Sequence, residues 1–196
     1  MYIYYDINFF SFWLCSAGIS PLYGNRALAV KDSDGLPYIP GKTLKGIIRE
    51  SFDNMISWKY QDEYITREKL KECSSNLFGE DLTKTGAAHF SDATLNKEER
   101  SYIIATATQR YLFSETTRLD VQKNITYSLE VVVPCPLSAF IYIPDHISTN
   151  MTKLLEHFHD SLRYIKRIGS HSKSGYGRCQ IITRNTSKSN NEENTI

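Results

Sequence analysis

The stretch LPYIPGKTLKGIIRE, from Leu36 to Glu50, decides how the first half of the chain is organised. Pro40 and Gly41 close a loop, and the apolar residues after them recur at intervals of three and four, which predicts a helix. Its cations Lys42, Lys45 and Arg49 have the same spacing, so they lie along one ridge of that helix. The apolar stripe consists of Leu44, Ile47, Ile48, Phe52, Met55 and Ile56.

The letters GKT within this stretch do not form a nucleoside-triphosphate loop. The pattern GxxxxGK[ST] requires a glycine at position 36, where this chain has Leu36, and two prolines occupy the loop. The segment still suits a phosphate, because a helix start offers free backbone N–H groups and a favourable dipole. We therefore expect an anion-binding helix start, although a solvated lysine face on an amphipathic helix explains this segment taken alone.

A second basic segment, RYIKRIGSHSKSGYGR, runs from Arg163 to Arg178. It holds five basic residues, no acidic residue and three closely spaced glycines. Glycine lets a nucleic-acid backbone approach closely, and Lys173, His171 and Arg178 can reach phosphates. Tyr176 can stack on a base. Its charge segregation favours nucleic-acid binding over a merely flexible connection.

The pattern along the chain predicts an α+β fold. The order strand, helix, inserted segment, strands, helix, strand fits a ferredoxin-like domain with an insertion. A polar tail from residue 185 onward predicts disorder, and residues 16–40 read as a long loop. Strands are predicted over 1–14, 87–95, 102–113, 126–143 and 178–183, with a break in the fourth at Pro134 and Pro136. Helices are predicted after Pro40, over 63–78 and over 151–165. Thr149 or Asn150 is expected to cap the start of the last helix, and Gly169 to end it in the left-handed conformation.

Composition limits the classes of protein that fit. The 196 residues suit one domain, and 41% hydrophobic with 23% charged residues describe an ordinary globule. A net charge of +1 means that an anion-binding surface must come from local segregation of charge. No apolar run is long enough to span a membrane. The scattered cysteines have no zinc-ligand spacing, so we expect buried thiols, no metal site and a cytoplasmic location.

Candidate catalytic groups are few. Asp32 and Asp34 are loop carboxylates that could act as a base or bind a metal, as could Asp92. Aspartates in SDG and SDA turns more often form the turn itself. No serine or cysteine has a recognisable partner for nucleophilic catalysis. We expect no cofactor, with Mg²⁺ required only if the protein cleaves RNA.

Taken together, these segments resemble the RAMP superfamily of CRISPR-associated proteins, and most closely the repeated backbone subunit of type III effector complexes. Four pieces carry the resemblance in the right order. They are the hallmark loop and helix GLPYIPGKTLKGIIRE (35–50), LFGEDLTKTGAAHFSDATL (77–95), TTRLDVQKNITYSLEVVVPCPLSAFIYI (116–143) and the glycine-rich loop IGSHSKSGYGRCQI (168–181).

The resemblance implies a modified RNA-recognition fold, a single domain over residues 1–184 with a thumb hairpin inserted at about 108–128. Several copies normally stack along a guide RNA, and the thumb displaces a nucleotide at regular intervals. The implied partners are guide RNA, target RNA, further copies or related RAMP subunits, and the large and small subunits of the complex. By position and residue type, the RNA-binding set is Lys42, Thr43, Lys45, Arg49, Arg118, Ser170, His171, Lys173, Ser174, Tyr176 and Arg178.

One departure from the family pattern concerns catalysis. Many members cleave target RNA with an aspartate in the loop before the hallmark motif. That position falls at or next to Arg26, and residues 24–30 contain no acid. An arginine cannot act as a carboxylate base. We therefore expect a binding subunit without cleavage activity.

Three alternatives stay open at this point. The first is a guide-programmed endoribonuclease that uses Asp32 or Asp34 as an unusual catalytic carboxylate. The second is a guide-processing endoribonuclease of the same superfamily with His171 as general base, although the IPGKTLKG segment is not typical of that class. The third is an end-capping subunit that binds the 5′ tag of the guide once per complex.

Overall fold

Strands outnumber helices in the part of the chain that the computed structural model describes, namely residues 1–20, 26–58, 67–80, 84–120, 125–148 and 152–184. The strands are β1 (Tyr2–Phe9), β2 (Ser16–Ser20), β3 (Arg26–Ala29), β4 (Gly79–Glu80), β5 (Lys84–Thr85), β6 (His89–Phe90), β7 (Phe113–Asp120), β8 (Ile125–Val132), β9 (Pro136–Tyr142) and β10 (Cys179–Arg184). The helices are α1 (Gly41–Trp58), α2 (Arg67–Phe78), α3 (Lys97–Ala105), α4 (Asp145–Ser148) and α5 (Thr152–Tyr164). This mixed arrangement confirms the α+β prediction.

The first sheet has the strand order β10-β1-β9-β6, and all of its neighbouring strands are antiparallel. Its central strand β1 alternates between a buried and an exposed face, because successive side chains of a strand point to opposite sides. Tyr5 and Ile7 are fully buried, whereas Tyr2 and Tyr4 are exposed. The helices α1 and α5 cover the buried face, and the rings of Phe52 and Phe158 meet between them with centroids 5.9 Å apart.

The second sheet has the order β2-β3-β8-β7, with β3 parallel to β8 and the other pairs antiparallel. Trp13 connects it to the chain leaving β1, since its backbone exchanges hydrogen bonds of 3.0 and 2.8 Å with Val132. The prediction of one continuous loop over 16–40 is wrong, because β2 and β3 lie within it. Ala27 and Ala29 are the buried residues of β3, and alanine has a low strand propensity that hides the pattern.

The segment from Lys97 to Ala105 forms helix α3, and a 3-10 helix follows at Gln109–Leu112. The prediction of a hairpin arm over 102–113 is therefore wrong except at Phe113, where β7 begins. Asn96 caps this helix, since its side chain accepts a hydrogen bond of 2.8 Å from the Glu99 N–H. The negative charges of Glu98 and Glu99 in the first turn stabilise the helix by interacting with the positive end of its dipole. These residues were the available helix-start signal.

Two other boundaries agree with the sequence, whereas the strands predicted over 1–14 and 87–95 are shorter in the structure, at Tyr2–Phe9 and His89–Phe90. Helix α1 begins directly after Pro40, and Pro134 separates β8 from β9 as predicted. Gly169 does have a left-handed φ of +102°, but it lies beyond the end of α5 rather than at its cap. The predicted caps at residues 149–150 and the predicted disordered tail at 185–196 lie outside the described residues.

Candidate nucleic-acid interface

The N-terminus of α1 is occupied by the protein's own carboxylate. The Gly41 N–H donates a hydrogen bond of 2.7 Å to Oδ1 of Asp92. Gly41 has no room for a side chain, because a Cβ there would lie 2.2 Å from the carbonyl oxygen of Phe90. The expectation that this glycine leaves its N–H free for an external anion is therefore wrong, and Asp92 is a helix cap.

The cations of α1 form the predicted ridge, here called the basic ridge (Lys42, Lys45 and Arg49). Together they line one wall of a cleft of about 490 Å³. Lys42 and Lys45 have no carboxylate within salt-bridge distance among the described residues. Arg49 is partly neutralised, since its Nε lies 3.6 Å from Oδ2 of Asp53. The ridge thus offers two uncompensated charges and one shared charge.

The opposite wall of this cleft is the β4–β5 hairpin, which brings in Lys84. Its Nζ donates a hydrogen bond of 2.6 Å to Oδ1 of Asn76, which fixes the side chain at the cleft. Glu80 is the acid in the same wall and lies 2.5 Å from the Ser75 hydroxyl. Sequence reasoning missed Lys84, because strands of two residues leave no periodic signal; its only hint was the family-like segment around it.

A second, smaller cleft of about 220 Å³ lies between α1 and the glycine-rich loop (residues 168–178). Thr43 from the helix and Ser170 from the loop both line it, so the structure brings these two predicted residues together. The Ser170 N–H donates to the carbonyl oxygen of Leu14 at 2.7 Å, which fixes the loop. The basic ridge lies on another flank of α1, at about 100° to 160° from Thr43 around the helix axis.

The glycine-rich loop needs two of its glycines for its own packing. Gly169 and Gly177 have φ of +102° and +70°, and a Cβ on them would lie 2.5 Å from the carbonyl oxygen of Leu14 and 2.0 Å from that of Ile168. Gly175 has φ of +92° with open space beside it. The interpretation that these glycines admit a nucleic-acid backbone therefore fits Gly175 alone.

The β7–β8 hairpin lies against the glycine-rich loop. The guanidinium carbon of Arg118 is 5.0 Å from the centre of the Tyr176 ring, and its Nη2 donates a hydrogen bond of 3.4 Å to the Ser174 carbonyl oxygen. Tyr127 stacks on His171 with ring centroids 6.1 Å apart. The hydrogen bond from Arg118 lowers the pKa of Tyr176. Arg118, His171, Ser174 and Tyr176 therefore form one contact between hairpin and loop.

The remaining loop cations are exposed to solvent. Lys173 and Arg178 have no carboxylate within salt-bridge distance among the described residues. The neighbouring Arg167 donates a hydrogen bond of 2.8 Å to the carbonyl oxygen of Ser172 and likewise has no acid partner in the described part of the chain. This edge of the molecule is positive although the whole chain carries only +1.

Metal ligands and membrane-spanning elements are absent from the described ranges. No group of three or more His, Cys, Asp or Glu side chains in those ranges is placed to hold a metal ion. No helix there has the length and apolar character to cross a membrane. The four cysteines are free thiols, and burial raises the pKa of Cys15, Cys73 and Cys179 to about 12.

The model of one protein family, the RAMP superfamily, matches residues 18–180. The chain belongs to the RAMP superfamily. The matched range includes the basic ridge, the β7–β8 hairpin and the whole glycine-rich loop, and the match confirms the resemblance to the RAMP superfamily seen in the sequence. None of the curated proteins with which the sequence was compared matches it.

Three solved structures with the same fold as this RAMP protein come from CRISPR complexes. A chain of a type IV-B CRISPR complex has a TM-score of 0.62 at 12% identity, covering 100% of this chain and 96% of its own. A chain of type III-B Cmr-beta bound to cognate target RNA has a TM-score of 0.62 at 12% identity, and the match covers 93% of this chain and 97% of that chain. A chain of type III-B Cmr-beta in its apo state has a TM-score of 0.65 at 12% identity, and the match covers 95% of this chain and 98% of that chain.

The RAMP resemblance places the expected aspartate at or next to Arg26, which is the first residue of β3. Its Nη2 lies 3.2 Å from Oε2 of Glu115 on β7, so this arginine ties β3 to the hairpin across β8. The arginine thus has a structural partner of its own within the second sheet.

The two carboxylates considered as substitutes, Asp32 and Asp34, both bind Arg100 of α3. Oδ1 of Asp32 also accepts hydrogen bonds of 2.9 and 3.0 Å from the N–H groups of Asp34 and Leu36, which forms a turn. Partial burial acts to raise the pKa of Asp32, but these hydrogen bonds and the Arg100 guanidinium outweigh it and lower that pKa. Both acids therefore serve to fix this loop on α3.

Proposed function

We propose that this RAMP protein is a backbone subunit of a CRISPR type III effector complex, which binds the sugar-phosphate chain of the guide RNA and presents it to target RNA. The proposal concerns the basic ridge and the glycine-rich loop. Positive side chains with no internal partner bind phosphates without first breaking an ion pair, and phosphate contacts supply most of the sequence-independent affinity for nucleic acid.

The observation that carries this proposal is the contrast between paired and unpaired cations. Three arginines elsewhere in the described part of the chain bind carboxylates: Arg26 binds Glu115, Arg100 binds Asp32 and Asp34, and Arg184 binds Asp6. Lys97 and Arg110 also lack an acid partner among the described residues, but they lie on separate elements. On two segments, by contrast, several cations without an acid partner among the described residues lie close together at clefts or loops. They are Lys42, Lys45, Arg167, Lys173 and Arg178.

The strand order supports the proposed architecture. In the sheet of order β10-β1-β9-β6, helix α1 follows β1 and helix α5 precedes β10. A ferredoxin-like domain, which we propose for this chain, has its helices in the same places of its βαββαβ order. In this proposal the β7–β8 hairpin is the thumb of a single domain over residues 1–184, and Arg118 on it steadies the glycine-rich loop beside the guide. Further copies or related RAMP subunits, with the large and small subunits, complete the assembly.

Salt-dependent binding tests the proposal. Fluorescence anisotropy with a labelled single-stranded RNA should give a steep fall of affinity with salt for the wild type. The double variants Lys42→Gln/Lys45→Gln and Lys173→Gln/Arg178→Gln should each lower the slope of log K against log[salt] by about 1.4, since each phosphate contact on a single strand contributes about 0.7. Lys97→Gln, an exposed lysine at the acidic start of α3, is the control. Unchanged slopes in both double variants would contradict the proposal.

We further propose that the subunit does not cleave RNA, because Asp32 and Asp34 are already bound to Arg100 and the expected aspartate position holds Arg26. The assembled complex, given labelled target RNA and Mg²⁺, should leave the target intact at this subunit. Regularly spaced cuts that disappear in Asp32→Ala would overturn this part of the proposal and support the endoribonuclease alternative.

A further inference from the structure

An exposed aromatic segment lies directly beside the unpaired arginines of the glycine-rich loop. Phe10 and Phe12, just after β1, are 58% and 42% exposed. The neighbouring Phe9 and Trp13 are buried and stack on each other with centroids 4.8 Å apart. The chain therefore places two of these four aromatic rings in the core and leaves about half of each of the other two in contact with solvent, where that part of an apolar ring gains nothing from folding.

The backbone fixes these exposed rings opposite the loop. The Phe10 N–H donates to the Arg178 carbonyl oxygen at 2.8 Å, and the Gly177 N–H donates to the Phe12 carbonyl oxygen at 2.7 Å. The first bond extends the antiparallel register in which Phe9 faces Cys179. Directly opposed residues of an antiparallel pair share a face, so Phe10 and Arg178 lie side by side on the exposed face.

Arg167 continues this row on the other side of Arg178. The two arginines form an isolated antiparallel bridge, flanked by hydrogen bonds of 2.9 Å from the Ile168 N–H to Gly177 and from the Cys179 N–H to Lys166. Both arginines are exposed and have no acid partner among the described residues. Three adjacent chain segments thus place Phe10, Arg178 and Arg167 in one row of backbone positions, with the Arg167 guanidinium donating a hydrogen bond of 2.8 Å to the Ser172 carbonyl oxygen.

We propose that Phe10 and Phe12 form a stacking subsite for an unpaired base of bound RNA, while Arg178 and Arg167 hold the phosphates next to that base. Aromatic rings beside a cationic groove are the combination that binds single-stranded nucleic acid without sequence preference. Two adjacent unneutralised guanidiniums favour a polyanion over a protein partner as the occupant. The inference rests on the proposed function, to which it adds base contacts.

RNA that lacks bases separates the two contributions. Anisotropy should be measured with a short labelled single-stranded RNA and with its abasic counterpart, which keeps every phosphate. The wild type should bind the base-bearing RNA about tenfold more tightly, and Phe10→Leu/Phe12→Leu should remove most of this preference. Affinity for the abasic strand and the salt slope should remain unchanged in that variant.

Two controls make the outcome specific. Tyr102→Leu removes a ring that is 69% exposed on α3 beside Glu98 and Glu99, and it should keep the preference for bases. Phe10→Tyr/Phe12→Tyr retains both rings and should keep it as well. If Phe10→Leu/Phe12→Leu keeps the full preference, or loses only its association with another protein subunit, the stacking subsite is wrong while the proposed function stands. A wild type with no salt dependence on either RNA would instead overturn the proposed function.

Discussion

Gly41 and Gly46 both lie in α1, but alanine substitutions at the two positions should change the stability of the protein in opposite directions. Gly41 contacts the backbone of Phe90, whereas a Cβ on Gly46 would meet nothing within 4 Å. We expect Gly41→Ala to lower the free energy of unfolding by about 1–3 kcal/mol, because the clash is with backbone atoms. Gly46→Ala should raise it by about 0.5–1 kcal/mol through helix propensity. Urea denaturation of both variants measures this, and equal effects would contradict the assigned contact.

The Asp32 carboxylate gives a pH-dependent prediction at the same scale. Its pKa in the folded state lies below the ordinary value of 3.8, so its contribution to stability is complete above that value and is lost as the pH falls through the lowered pKa. Asp32→Asn should reduce the free energy of unfolding at neutral pH by about 1–2 kcal/mol. The difference in the free energy of unfolding between variant and wild type should narrow as the pH falls below 3.8 and through the lowered pKa.

Asp34→Asn is the matched control for this experiment, because Asp34 binds the same Arg100 but accepts no backbone hydrogen bond in the turn. Its loss of stability should be smaller than that of Asp32→Asn at neutral pH. Denaturant titrations across the acidic range measure both. A larger effect in Asp34→Asn would show that the ion pair, and not the turn, holds this loop.

At the scale of elements, the β7–β8 hairpin holds the glycine-rich loop through Arg118. Arg118→Gln removes the cation over Tyr176 and weakens the contact with Ser174. We expect faster amide hydrogen exchange in the loop around Ser172–Ser174 and a rise in the pKa of Tyr176. Arg110→Gln, which removes a cation 4.7 Å from the ring of Tyr111, is the control and should leave the loop unchanged. If amide hydrogen exchange in the loop is unaltered in Arg118→Gln, the contact with Arg118 does not hold the loop in place.

Elements with strong periodicity were predictable from the sequence, and short or polar ones were not. The apolar stripe of α1 and the break at Pro134 both appear in the structure. The strand β3 was missed, because it is four residues long and its buried side chains are Ala27 and Ala29. Helix α3 was missed, because it buries none of its residues and its only clear signal is the cap at Asn96. Tertiary pairing, and not local propensity, decides such segments.

At the scale of the whole molecule, the sequence identified which segments carry unpaired charge but not how the chain arranges them. Thr43 and Ser170 do share a cleft, as a common site requires. The basic ridge lies on another flank of α1 and meets Lys84, a residue with no sequence signal of its own. Phe10 likewise lies beside Arg178 only because β1 and β10 pair. Such placements depend on long-range strand pairing, which no local pattern encodes.

The most direct test of the central claim is ultraviolet crosslinking of the assembled guide ribonucleoprotein, followed by mass spectrometry of the crosslinked peptides. The account predicts that guide RNA crosslinks fall in peptides that include residues 40–49 and 168–178, the segments with unpaired cations. Crosslinks confined to other surfaces, such as α3 with its acidic first turn, would contradict it.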